Sequence, residues 1–136
     1  MTSSRRRFAC CLVYSVVLCS IAPALAGAQT FPFDRELMLD AAPMPGSKRV
    51  PILEIGAGGT ASINLWCASV RGQASVNADS ITIVAGPPDV AKCAPERQSR
   101  DTDLLAALAQ VTNWRRRGDV IELFGATTLR FRLMTN

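Results

Sequence analysis

Five cysteines, eleven acids and no histidine bound the chemistry open to this 136-residue chain. Without histidine there is no Ser–His or Cys–His nucleophile pair and no histidine-ligated zinc. The acids closest to a usable pairing are Glu96, Asp101 and Asp103. A carboxylate pair can serve as acid and base on a glycan, but acids early in an amphipathic helix complement its dipole and meet solvent, which is how we read them. Gly56-Ala57-Gly58-Gly59 lacks the Gly-Lys-Ser/Thr of a phosphate loop and leads into a strand pattern rather than a helix, so it reads as a turn. Trp114-Arg115-Arg116-Arg117 pairs an aromatic with guanidiniums, as sites for single-stranded nucleic acid do. At a hairpin end beside Asp119 it reads instead as a solvated edge whose charges discourage sheet-to-sheet pairing. The sequence thus assigns no catalytic residue, no cofactor and no metal site.

Three of the cysteines, Cys10, Cys11 and Cys19, fall in a stretch with the zones of an export signal: Arg5, Arg6 and Arg7, an apolar run from Phe8 to about Ala22, then Ala24, Ala26 and Ala28. Residues 1–28 are expected to be a signal peptide cleaved after Ala26 or Ala28. An apolar run of about 15 residues is shorter than the roughly 20 that cross a bilayer. Ser4 to Phe8 also fits a twin-arginine pattern, and Cys19 invites comparison with a lipoprotein site, but Val17-Leu18 before it is not the usual context. General secretory export to the periplasm, or secretion, is the expectation. Removing the signal takes three of fifteen basic residues and no acid, leaving 12 − 11 = +1. So small a charge gathers neither nucleic acid nor anionic membrane at long range. The surviving pair, Cys67 and Cys93, is even in number in an oxidising space and is expected to form a disulfide. Closing a loop of about 27 residues would contribute roughly 3–4 kcal/mol on the chain-entropy model.

The elements that must position these residues are short. After a loose lead-in over 29–34, apolar or alternating runs at 35–40, 50–55, 61–65, 73–77, 80–84, 111–116, 120–124 and 128–133 read as strands. Pro45-Gly46, Gly56–Gly59, Asn77-Ala78-Asp79, Arg117-Gly118-Asp119 and Gly125-Ala126 separate them with turn chemistry. From about Glu96 to Gln110 the period changes, with Leu104, Leu105, Leu108 and Val111 at helical spacing. The expected fold is α+β and mainly β: a curled or barrel-like antiparallel sheet of about six to eight short strands with one covering helix. Trp66, beside Cys67, reads as a core aromatic on the disulfide, with a partner-facing role as the second reading. Arg71, Arg97 and Arg100 would offer a cationic rim to an acidic partner or lipid headgroup.

Pro51–Ile55, Ile63-Asn64-Leu65-Trp66-Cys67, Gly72, Ser80–Ile83, Lys92-Cys93, Asp103–Leu108, Val120–Leu123 and Leu129-Arg130-Phe131 follow one another in an order that resembles the META domain, the family of HslJ-like heat-shock proteins. The resemblance spans roughly residues 35–133. The chain departs from it at Trp66-Cys67-Ala68, where many members have Gly-Cys-Asn, and at Pro88–Cys93, where many have Thr-x-Met-Ala-Cys. It implies a small antiparallel β domain with one helix over 35–136, in exported or lipid-anchored envelope proteins without established catalytic residues. The expected role is therefore a non-enzymatic periplasmic one: binding an envelope protein or lipid component, in envelope-stress support, as a monomer that neither spans the membrane nor binds nucleic acid. Two alternatives are a small-ligand or lipid carrier using the sheet interior, and an inhibitor of a lysozyme-type enzyme.

Overall fold

The computed structural model describes residues 29–89 and 93–135. The expected signal peptide, residues 1–28, and Lys92 lie outside the described residues. Eight strands, β1 (Glu36–Leu39), β2 (Ile52–Ile55), β3 (Thr60–Asn64), β4 (Ser69–Asn77), β5 (Ser80–Ala85), β6 (Asn113–Arg117), β7 (Val120–Phe124) and β8 (Thr128–Leu133), are joined by one helix, α1 (Pro95–Ala109), between β5 and β6. They close in sequence order into an antiparallel barrel, with β8 pairing back onto β1. The expected α+β, mainly-β architecture is what forms.

Closure follows from the side-chain alternation. Leu37, Leu53, Ile63 and Val70 are consecutive cross-strand partners, and all four point inward and are buried. Ile121 and Phe131 continue the interior on β7 and β8. Each such side chain contributes about 1.5–3 kcal/mol by leaving water. The turns accept this register: Gly118, with φ of 60°, opens the two-residue loop that joins Arg117 to Val120, where a left-handed residue suits the strand twist. Gly72 meets a different demand, because a Cβ there would collide with the carbonyl oxygen of Val84 on β5.

The two mouths of the barrel are plugged differently. At the β2–β3 end the lead-in is not loose. Phe31 is 4 % exposed and packs edge-on against Trp114 and tilted against Phe33, with ring centroids 5.0 and 5.1 Å away. The Asp34 N–H donates to Ile55 O, and the Ala57 N–H donates to Asp34 Oδ1, fixing the entry of the chain. Phe31-Pro32-Phe33 is too short a run between polar residues to carry a periodic signal. At the β3–β4 end, α1 lays Leu104 and Leu108 into the core. Pro95 starts the helix where a missing N–H costs nothing. The pairing of β5 with β6 is limited to Ser80 with Asn113, and α1 packs against β5 beyond it.

Candidate functional site

The residues after β3 form a buried turn, Leu65 to Ala68, closed by the Leu65 N–H donating to Ala68 O. Cys67 in this turn is bonded to Cys93, two residues before α1, with a Cα–Cα distance of 6.0 Å. Asp101, 4 % exposed, reaches into the same turn from the helix. Its carboxylate accepts the N–H groups of Trp66 at 3.0 Å, Cys67 at 3.2 Å and Ala68 at 2.8 Å. This corrects the solvated, helix-capping role expected for Asp101. The helix begins at Pro95 and only Glu96 is acidic in its first turn, so Asp101 lies a turn further on, on the face shared with Leu104 and Leu108. A carboxylate engaged by three backbone donors is a structural clip, and Asp103 beside it is exposed. The turn is thus held covalently at Cys67 and by charge-assisted hydrogen bonds from Trp66 to Ala68.

Trp66 is 8 % exposed within the core cluster, which leaves its indole little surface for a partner, and its Nε1 has no hydrogen-bond partner among the described residues. Arg71 is exposed on β4 and lines a surface hollow of about 350 Å³ with Asp34 and Glu54. Arg97 is half-buried and Arg100 exposed on α1. Neither lines that hollow with Arg71.

The run Trp114–Arg117 divides by face. Trp114 is 4 % exposed and its Nε1–H donates to Ala78 O at 2.9 Å, so the aromatic belongs to the core. Arg115 and Arg117 point outward beside β7 and β8. Arg115 donates to Glu122 Oε2 through Nη2 at 2.7 Å and Nε at 3.2 Å, and its guanidinium lies 5.1 Å from the ring centre of Phe124. Arg117 and Arg130 approach the same carboxylate at 3.8 Å, and Arg132 reaches Asp40 at 3.4 Å. The Arg115 hydrogen bond, helped by the neighbouring guanidinium charges and opposed by partial burial, holds the Glu122 carboxyl below its ordinary value. In these ion pairs four guanidiniums share two carboxylates. The arginine side chains are 42–65 % exposed, whereas Glu122 is 14 % exposed, so the cations form the outer layer. The sequence shows the arginines of β6; that Glu122, Arg130 and Arg132 join them depends on the hairpin register.

Among the described residues no group of three or more cysteine, aspartate or glutamate side chains is placed to hold a metal, and no helix is long and apolar enough to cross a membrane. No curated protein matches the chain in sequence. A solved chain described as "NMR structure of the protein" shares the fold with a TM-score of 0.58 at 16 % identity, over 73 % of this chain and 88 % of that one. The META domain family model matches residues 32–135, which include all eight strands and the helix. The chain belongs to the META domain family.

Proposed function

We propose that this protein is a non-catalytic binding domain that works outside the cytoplasm, in an oxidising compartment such as the periplasm, and holds another envelope protein or envelope component against its outer surface. The observation that carries this reading is a barrel whose interior is filled while one outer wall is charged. Phe131, Leu37, Leu53, Ile63, Leu108 and Ile121 are each under 2 % exposed and occupy the interior. A lipid or small-ligand carrier needs that space empty. The Cys67–Cys93 disulfide supports an oxidising compartment, as does the signal-like pattern of Arg5–Arg7 and Ala24–Ala28.

The test is to express a tagged full chain in its own host, cross-link whole cells and identify what co-purifies by mass spectrometry. The reading expects a processed N-terminus, oxidised cysteines and one dominant protein partner. Retention in the cytoplasm with both thiols reduced would overturn the compartment. Stoichiometric lipid with no protein would replace the binding role with the carrier role.

A further inference from the structure

We infer that β6 docks an extended acidic polypeptide of a partner by strand addition, an inference that rests on the binding role proposed above and names its site and ligand chemistry. On one side β6 pairs with β7 over all five of its residues, from Asn113 with Phe124 to Arg117 with Val120. On the other side it pairs with β5 only at Asn113. The Trp114 N–H on that side donates to Asp79 O at 2.8 Å. The next N–H along the same edge, that of Arg116, meets no strand among the described residues. It donates at 2.9 Å to the side-chain Oε1 of Gln29, so a side-chain amide stands where the carbonyl of a neighbouring strand would be. Beside it lies a mostly apolar hollow of about 260 Å³ lined by Gln29, Ala78, Asp79 and Trp114. That is a strand edge with a place for one apolar side chain, the arrangement by which extended peptides are bound through backbone hydrogen bonds and alternate pockets.

Charge chooses the occupant. Residues alternate across a strand, so a peptide added along β6 presents one set of side chains to the hollow beside Trp114 and the other to Arg115 and Arg117 on the outer wall. Arg115 is held by Glu122 while Arg117 is 65 % exposed, so the second set meets an open guanidinium at Arg117 and is acidic. A second copy of this chain is the wrong occupant, because pairing β6 with β6 would set arginines against arginines. The charges that keep the edge from self-pairing are the ones that select an acidic segment.

The experiment follows backbone amides by NMR in the purified full-chain product titrated with a ten-residue peptide of alternating valine and glutamate. The controls are the valine–lysine peptide, the glutamate peptide N-methylated at alternate positions, and anionic phospholipid vesicles. The inference expects shifts at Trp114, Arg116 and Gln29, and affinity for the glutamate peptide at least about tenfold above both control peptides and undiminished by competing vesicles. Arg117→Glu, at a side chain 65 % exposed, should weaken binding about tenfold with an unchanged melting curve. Gln29→Ala should strengthen it by freeing the Arg116 N–H. Failure of the glutamate peptide to bind, equal binding of the N-methylated peptide, or displacement by vesicles would overturn strand addition. A partner captured by cross-linking alongside such a negative peptide result would overturn this docking mode alone. Capture of no partner would overturn the binding role as well.

Discussion

Replacing Asp101 by alanine removes the one side chain that serves three backbone donors in the buried Leu65–Ala68 turn. A buried donor left without an acceptor costs about 1–3 kcal/mol, and bonds to a charged acceptor lie toward the upper part of that range. Part of the loss is recovered, because a turn released from the helix can let water in. The expected destabilisation is therefore about 3–5 kcal/mol, a large share of the roughly 5–15 kcal/mol that keeps such a domain folded. For a domain of this size it corresponds to a fall of roughly 15–30 °C in Tm. Asp101→Asn keeps one acceptor oxygen but turns an amide toward the remaining donors, and should cost about half as much. Calorimetric and urea unfolding under oxidising conditions, with free thiols assayed to prove that Cys67–Cys93 is intact, measure both variants. Since Cys67 is both disulfide partner and donor to Asp101, the double variant Asp101→Ala/Cys67→Ala should be non-additive by about 1 kcal/mol or more. A loss below about 1 kcal/mol for Asp101→Ala would refute the view that this carboxylate clips the turn.

Three further outcomes are expected. Cys67→Ala opens a loop with a sequence separation of 26 and should cost roughly 3–4 kcal/mol by urea unfolding, with no effect of added reductant on the variant. Phe31→Ala empties the plug against Trp114 and should cost about 3–5 kcal/mol, where a loose lead-in would be silent to thermal unfolding. Glu122, whose folded-state pKa is depressed, adds stability above its ordinary value of 4.5 that is lost as pH falls from there through the lowered folded value. Stability of Glu122→Gln should therefore fall less steeply with acid than that of the parent, and an NMR titration of Glu122 should give a midpoint below 4.5.

Much of the barrel was legible because its strands alternate. The β7 and β8 ranges read from the sequence match the structure residue for residue, and the helical stripe lies within one residue of α1 at each end. β4 begins at Ser69, four residues before the run expected from 73, because Val70 followed by Arg71 and Gly72 offers only one apolar residue to mark it. Val50 falls outside β2 because the chain from Asp40 to Pro51 stays irregular until Ile52. The clip is hidden in the sequence for a physical reason. An aspartate near a helix start is ordinarily a capping residue, and its true partners lie 33–35 residues away in a turn with no polar side chain to announce it. The outer arginine wall shows the same gap, since a cross-strand cluster depends on register and three of its members lie on β7 and β8.

The most direct test of the binding account places a photoreactive amino acid at Arg117 on β6 and, in a second strain, at Ser62 on β3, three strands away round the barrel. Both strains are irradiated as whole cells of the native host. The account predicts one dominant protein adduct from position 117, lost when Arg115 is reversed to glutamate, and none of comparable yield from position 62. Equal adducts from both positions, or none from either, would contradict it.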